Sequence, residues 1–143
     1  MPIASRFAIG VHILSLIGKE DSGTPTSERL AGSIGVNAVI VRNVLGDLRR
    51  AGLVHTRQGV AGAQLGKPLS AITLLDVYRA VETDRELFAI HPRPNPDCFV
   101  GANIQTTLEH FFGEAQQAME ARLSNITLEQ VVQDMGKSPH EKS

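Results

Sequence analysis

The sequence predicts a mostly α fold: a winged helix-turn-helix domain with a two-stranded β wing, and one long helix behind it. Three observations predict this. Residues 26–68 run as a short helix, a turn, a second helix with a basic end, and a strand pair around a glycine-rich tip. Apolar residues recur at helical spacing on either side of that block, over residues 7–17, 72–82 and 103–125. Between the last two, His91-Pro92-Arg93-Pro94-Asn95-Pro96 places a proline at every second position, a run that is neither helix nor central strand.

Each element follows from its residues. Phe7, Val11, Leu14 and Ile17 share one helical face. That apolar run is too short to span a bilayer and no small-residue cleavage pattern follows it, so it reads as a buried first helix. Thr26-Ser27-Glu28 can start the next helix, since a hydroxyl accepts the free N–H groups of a first turn. Leu30 and Ala31 are its apolar face, and Ser33-Ile34-Gly35-Val36-Asn37 turns the chain. Asn37 then caps a helix running to about Arg50 and closed by Gly52. Val41, Val44, Leu45 and Leu48 line one side of it; Asn37, Arg42, Asn43, Arg49 and Arg50 remain on the other.

Residues 53–57 alternate apolar and polar, glycines mark the tip, and Pro68 stops a second strand, giving the wing. Residues 72–82 form an amphipathic helix capped by Thr73, with Leu74, Val77, Tyr78 and Val81 inward. The longest helical pattern, residues 103–125, keeps Ile104, Leu108, Phe111, Phe112, Ala115, Met119 and Leu123 on one seam. Glu109, Glu114, Gln117 and Glu120 lie opposite. Thr127 to Met135 reads as a short docking helix, and the last eight residues as a frayed tail. The expected organisation is a winged domain over 1–90, a Pro-rich linker over 91–102, and a dimerisation helix with the docking helix over 103–143.

Charge gives this architecture a direction. The net charge of −1 hides an asymmetry: residues 1–70 carry eight Lys or Arg against four acids, and the remainder six against eleven. A basic front and an acidic rear is the polarity of a molecule that meets a polyanion on one face. A helix that buries one side and presents Asn and Arg on the other suits the major groove of DNA. Arg42 and Asn43 are therefore candidates for base edges, and Asn37 for a base or a phosphate. Thr26 and Ser27 can grip a phosphate at a helix start. Arg49, Arg50, Arg57 and Lys67 are candidate backbone anchors, and Gln58 a minor-groove contact. The long seam is expected to pair with its copy in a twofold homodimer, which matches a partly palindromic operator. A winged module that binds protein instead of DNA is the alternative.

On these residues the chain resembles the Rrf-two family of winged-helix regulators, relatives of the iron–sulfur cluster regulator. The likeness is densest in residues 48–54, in the glycine-rich wing and in residues 72–82, and it extends over nearly the whole chain. Asn95-Pro96-Asp97-Cys98 before the long helix is similar to the cluster-less branch. The resemblance implies a dimer joined through long helices, bound to a partly palindromic operator and repressing transcription. Two departures stand out. Gly59-Val60-Ala61-Gly62-Ala63-Gln64 lacks the aromatic residue that closes many family wings, and the three cysteines of cluster-binding members are reduced here to Cys98.

That single cysteine excludes a disulfide framework and fits a reducing cytoplasm. Cys98 is either a packing residue or a redox or electrophile sensor at a helix start, where anions are favoured. His91, Cys98 and His110 lack a recognised ligand spacing, so no metal or cofactor is expected. An oxidant or an unidentified small molecule is a candidate effector. No nucleophile elbow, phosphate loop or dinucleotide fingerprint is present, and the protein is not expected to be an enzyme. Asp84, Glu86, Glu109 and Glu114 read as solvated charge, and His12 and His55 as structural.

Overall fold

The computed structural model describes residues 3–19, 25–82 and 95–136. Six α-helices and one two-stranded antiparallel sheet make up these residues. Helix α1 (Ile3–Lys19) buries Ile9, Ile13, Leu14 and Ile17 in the common core. Phe7 and Val11 pack partly against it. Gly10 allows the close approach of a later helix, because a Cβ there would stand 3.1 Å from Val77 Cγ1.

Helix α2 (Ser27–Ile34) starts at Thr26, whose Oγ1 accepts the Arg29 N–H at 3.3 Å. It ends at Gly35, where φ is +84°, a conformation that costs glycine little. Helix α3 (Ala38–Arg50) starts at Asn37, whose Oδ1 accepts the Val39 N–H at 2.8 Å. Val41, Val44, Leu45 and Leu48 are buried, as their spacing requires.

Strands β1 (Val54–His55) and β2 (Gln64–Leu65) pair Val54 with Leu65 and His55 with Gln64. The ladder is much shorter than residues 53–67 led one to expect. The returning chain bonds elsewhere before it reaches β1: the Ala63 N–H donates to the Pro25 carbonyl, 3.2 Å away, and Ala63 is buried. Gly59 and Gly62, both at positive φ, turn the tip. The wing is thus held to the start of α2 as well as to itself.

A 3-10 turn (Leu69–Ala71) leads into α4 (Leu74–Val81). Thr73 and Asp76 cap it reciprocally, the Asp76 N–H donating to Thr73 Oγ1 at 3.1 Å and the Thr73 N–H to Asp76 Oδ2 at 3.0 Å. Val77, Tyr78 and Val81 are buried and Leu74 partly so, with Leu75 also inside. His12 and His55, expected to be structural, are both exposed and hold nothing in the core.

Helix α5 (Phe99–Leu123) begins four residues earlier than expected. A tight turn starts it: Asn95 Oδ1 accepts the Asp97 N–H at 3.0 Å and the Asn95 carbonyl accepts the Cys98 N–H at 3.3 Å. The Asn95 backbone lies against Gly101 so closely that a Cβ there would sit 2.0 Å from its carbonyl oxygen. The part of the connector over residues 91–94, His91 included, lies outside the described residues, as do Asp84 and Glu86.

Helix α6 (Leu128–Met135) returns to the winged domain. The Leu74 N–H donates to the Ile126 carbonyl and the Leu128 N–H to the Ile72 carbonyl, each at 2.8 Å. Leu128 is fully buried in the main core. Thr127 and Gln130 cap this helix as Thr73 and Asp76 cap α4. The two helix starts are bridged strand-like at Thr73 and Thr127.

Candidate nucleic-acid interface

The outer side of α3 forms a ridge between two clefts. On one side lies a cleft of about 730 Å³ lined by Arg6, Ile40, Arg42, Asn43, Asp47, Arg49 and Arg50. On the other lies a cleft of about 400 Å³ between α3, the start of α2 and the base of the wing. Thr26, Ser27, Glu28, Arg42, Arg49 and Thr56 line that second cleft, and Arg42 and Arg49 face both. Arg42, Asn43, Arg49 and Arg50 are exposed, while Thr26 and Ser27 are half-buried. The fold therefore gathers six candidate residues, from the start of α2 and from α3, around these two clefts.

The remaining candidates sit apart. Asn37 is exposed but lines neither cleft, and its Oδ1 is committed to capping α3. Arg57 and Gln58 are exposed in the wing, and Lys67 is exposed just beyond β2. None of the three lines either cleft.

Carboxylates organise the basic ridge, and their roles were not read from the sequence. Asp47 is buried at the foot of the first cleft and accepts from both Arg6 of α1 and Arg50 of its own helix. Burial of a carboxylate is costly unless it is paired, and here two guanidinium groups satisfy it. Glu28 Oε1 accepts from Arg42 Nη1 at 3.1 Å, joining α2 to α3. The i,i+3 spacing of Asp47 and Arg50 could have signalled one of these pairs. The other two link residues 14 and 41 positions apart, and only the folded chain brings them together.

Helix α5 presents a different surface. None of its 25 residues is buried. Of the expected seam, Ile104, Leu108, Phe112, Met119 and Leu123 are half-buried, while Phe111 and Ala115 are exposed, Phe111 by 57%. Arg79 Nη2 donates to Glu120 Oε1 at 3.3 Å and ties the helix to α4. Cys98 stands at its first cap position, exposed, with no side-chain cap bond.

A family model for Rrf2, described as iron-dependent transcriptional regulators, matches residues 3–134. The chain belongs to the Rrf2 family. YwnA of Bacillus subtilis (strain 168), provisionally named an HTH-type transcriptional regulator, is 44% identical over 130 residues, which cover 91% of this chain and 96% of YwnA. A crystal structure of a provisionally assigned DNA binding protein is 39% identical, with a TM-score of 0.74 and coverage of 88% of this chain and 97% of that one. CymR, the global cysteine regulator of B. subtilis, is 22% identical with a TM-score of 0.67 over 93% of this chain and 97% of its own, a likeness of fold. This Rrf2 chain is accordingly a winged-helix transcriptional regulator. Among its described residues no helix is long and apolar enough to cross a membrane.

The family's iron does not fit the donors present here. Iron–sulfur clusters are held mainly by sets of thiolates, and the chain has one cysteine. Cys98 is exposed, and His110, three turns along α5, pairs with Glu114 Oε1 at 2.9 Å. Among the described residues no three His, Cys, Asp or Glu side chains converge.

Proposed function

We propose that this Rrf2 protein is a homodimeric, sequence-specific DNA-binding repressor that acts in the cytoplasm on a partly palindromic operator. The α3 ridge carries the reading: Arg42, Asn43, Arg49 and Arg50 stand on one exposed face, flanked by clefts that reach α1 on one side and the wing on the other. The major groove admits an α-helix, and this basic, amide-bearing helix face would place Arg42 and Asn43 on base edges. Thr26 and Ser27, at the start of α2, take a phosphate beside it. Arg49, Arg50, Arg57 and Lys67 anchor the backbone, Gln58 reaches the minor groove from the wing, and Asn37 chiefly holds α3 in place.

The dimer in this proposal forms through α5. A 25-residue helix with no buried residue gains little from its own domain, yet carries Leu108, Phe111, Ala115 and Met119 along one seam. Such a stripe is covered most simply by its copy. In this organisation residues 1–90 are the reader, 91–98 the connector, and 99–143 the dimer unit, four residues more than the sequence suggested, with α6 returning to the reader.

Selection of bound sequences from a random duplex pool tests the reading. A partly palindromic consensus, with half-sites about one helical turn apart, is the expected result. Recovery of unrelated sequences, with no enrichment over the starting pool, would mean that the module binds something else.

A further inference from the structure

Among the described residues Arg42 makes one polar contact, from Nη1 to Glu28 Oε1 at 3.1 Å. Both side chains are largely exposed, at 51% and 72%. An exposed ion pair adds little to fold stability. An acid in the first turn of α2 complements the helix dipole, which accounts for a carboxylate at 28 but not for its reach across 14 positions to the reader helix. The pair lies in the cleft between α2, α3 and the wing, beside Thr26 and Ser27.

We propose that Glu28 is a positioning residue that sets the sequence selectivity of Arg42; this rests on the DNA-binding reading above. A guanidinium carries five N–H donors in a planar fork. Contact through one Nη leaves the rest of the fork available for the two acceptors on a guanine edge. A long arginine otherwise loses side-chain freedom on binding and can settle on any nearby phosphate, which carries no sequence information. Held by Glu28, Arg42 enters the groove already oriented, and the carboxylate repels phosphates that would draw it aside. The pair therefore favours base contact and disfavours backbone contact at the same position.

The test compares the parent protein, Glu28→Gln, Arg42→Ala and the double variant on two probes. These are the duplex the parent selects from a random pool and a scrambled duplex of equal length. Thermal melts confirm folding of each variant. With Glu28→Gln, affinity for the selected duplex falls about five- to tenfold, as expected for partial loss of a bidentate contact. Affinity for the scrambled duplex rises about two- to fivefold, and its salt slope steepens by about one, because Arg42 now reaches a phosphate. In the Arg42→Ala background the same replacement leaves the selected-to-scrambled ratio unchanged, since nothing remains to be positioned. An unchanged ratio in Glu28→Gln, or an equal fall with Arg42 absent, overturns the inference while leaving DNA binding intact. A parent that binds neither duplex in dilute salt overturns the DNA-binding reading, and this inference with it.

Discussion

Asp47 and Cys98 show how far single residues carry the account. Asp47 is buried and accepts from Arg6 and Arg50, so it joins the first helix to the reader helix by charge as well as by apolar contact. Asp47→Ala should cost about 1–3 kcal/mol, the worth of charge-assisted hydrogen bonds whose arginine partners can turn to water. Urea unfolding would measure it, and a change within about 0.5 kcal/mol would reduce the pair to surface decoration. Cys98 is exposed at the cap of α5, and whether it is a packing residue or an oxidant sensor is open to a direct test. A sensor would act by thiolate attack on one peroxide oxygen, with the O–O bond breaking, water leaving after protonation, and the sulfur becoming a sulfenic acid. Cys98→Ser should keep the parent's affinity for DNA and lose any weakening of binding by peroxide. Equal loss in parent and variant under peroxide would end the sensor proposal.

At the scale of elements, the helix starts were legible and the long-range ties were not. Thr26, Asn37 and Thr73 each bond an N–H two or three residues ahead, so the signal lies within one turn of sequence. The start of α5 escaped because it depends on the Asn95 turn folding over Gly101, a contact of backbone with backbone. The wing was overestimated because alternation in residues 53–67 does not reveal that Ala63 bonds to Pro25. Helix α6 was read as docking, and its anchor is Leu128, with no exposed surface. Leu128→Ala should destabilise the protein by about 2–4 kcal/mol, through lost burial plus a cavity. Unfolding midpoints that match the parent would show α6 to be dispensable to the core. For α5, Phe111→Glu should convert a dimer to a monomer with little change in the stability of the single chain, since Phe111 is exposed there. A variant that still sediments as a dimer would place the interface elsewhere.

Across the whole molecule, the asymmetry of charge and the order of elements were enough to read a winged reader with a long helix behind it. Family membership supports that order over residues 3–134. The arrangement of the reading face was legible only in part. Arg42, Asn43, Arg49 and Arg50 followed from the helical period of α3, but Arg6 and Glu28 came from other helices, and Asp47 of α3 meets Arg6 only in the folded chain. Periodicity assigns a residue to a face of its own helix and says nothing of which distant side chain will meet it. Charge arranged in this way makes a quantitative demand on binding. Four proposed backbone anchors per chain, doubled in a dimer, give about eight phosphate contacts and a slope of log K against log salt near −7. The most direct measurement is sedimentation of the purified protein with its selected duplex over a series of salt concentrations. Two chains on each duplex, with affinity falling along about that slope, is the predicted result. A single chain that stays apart from the duplex even in dilute buffer would contradict the account.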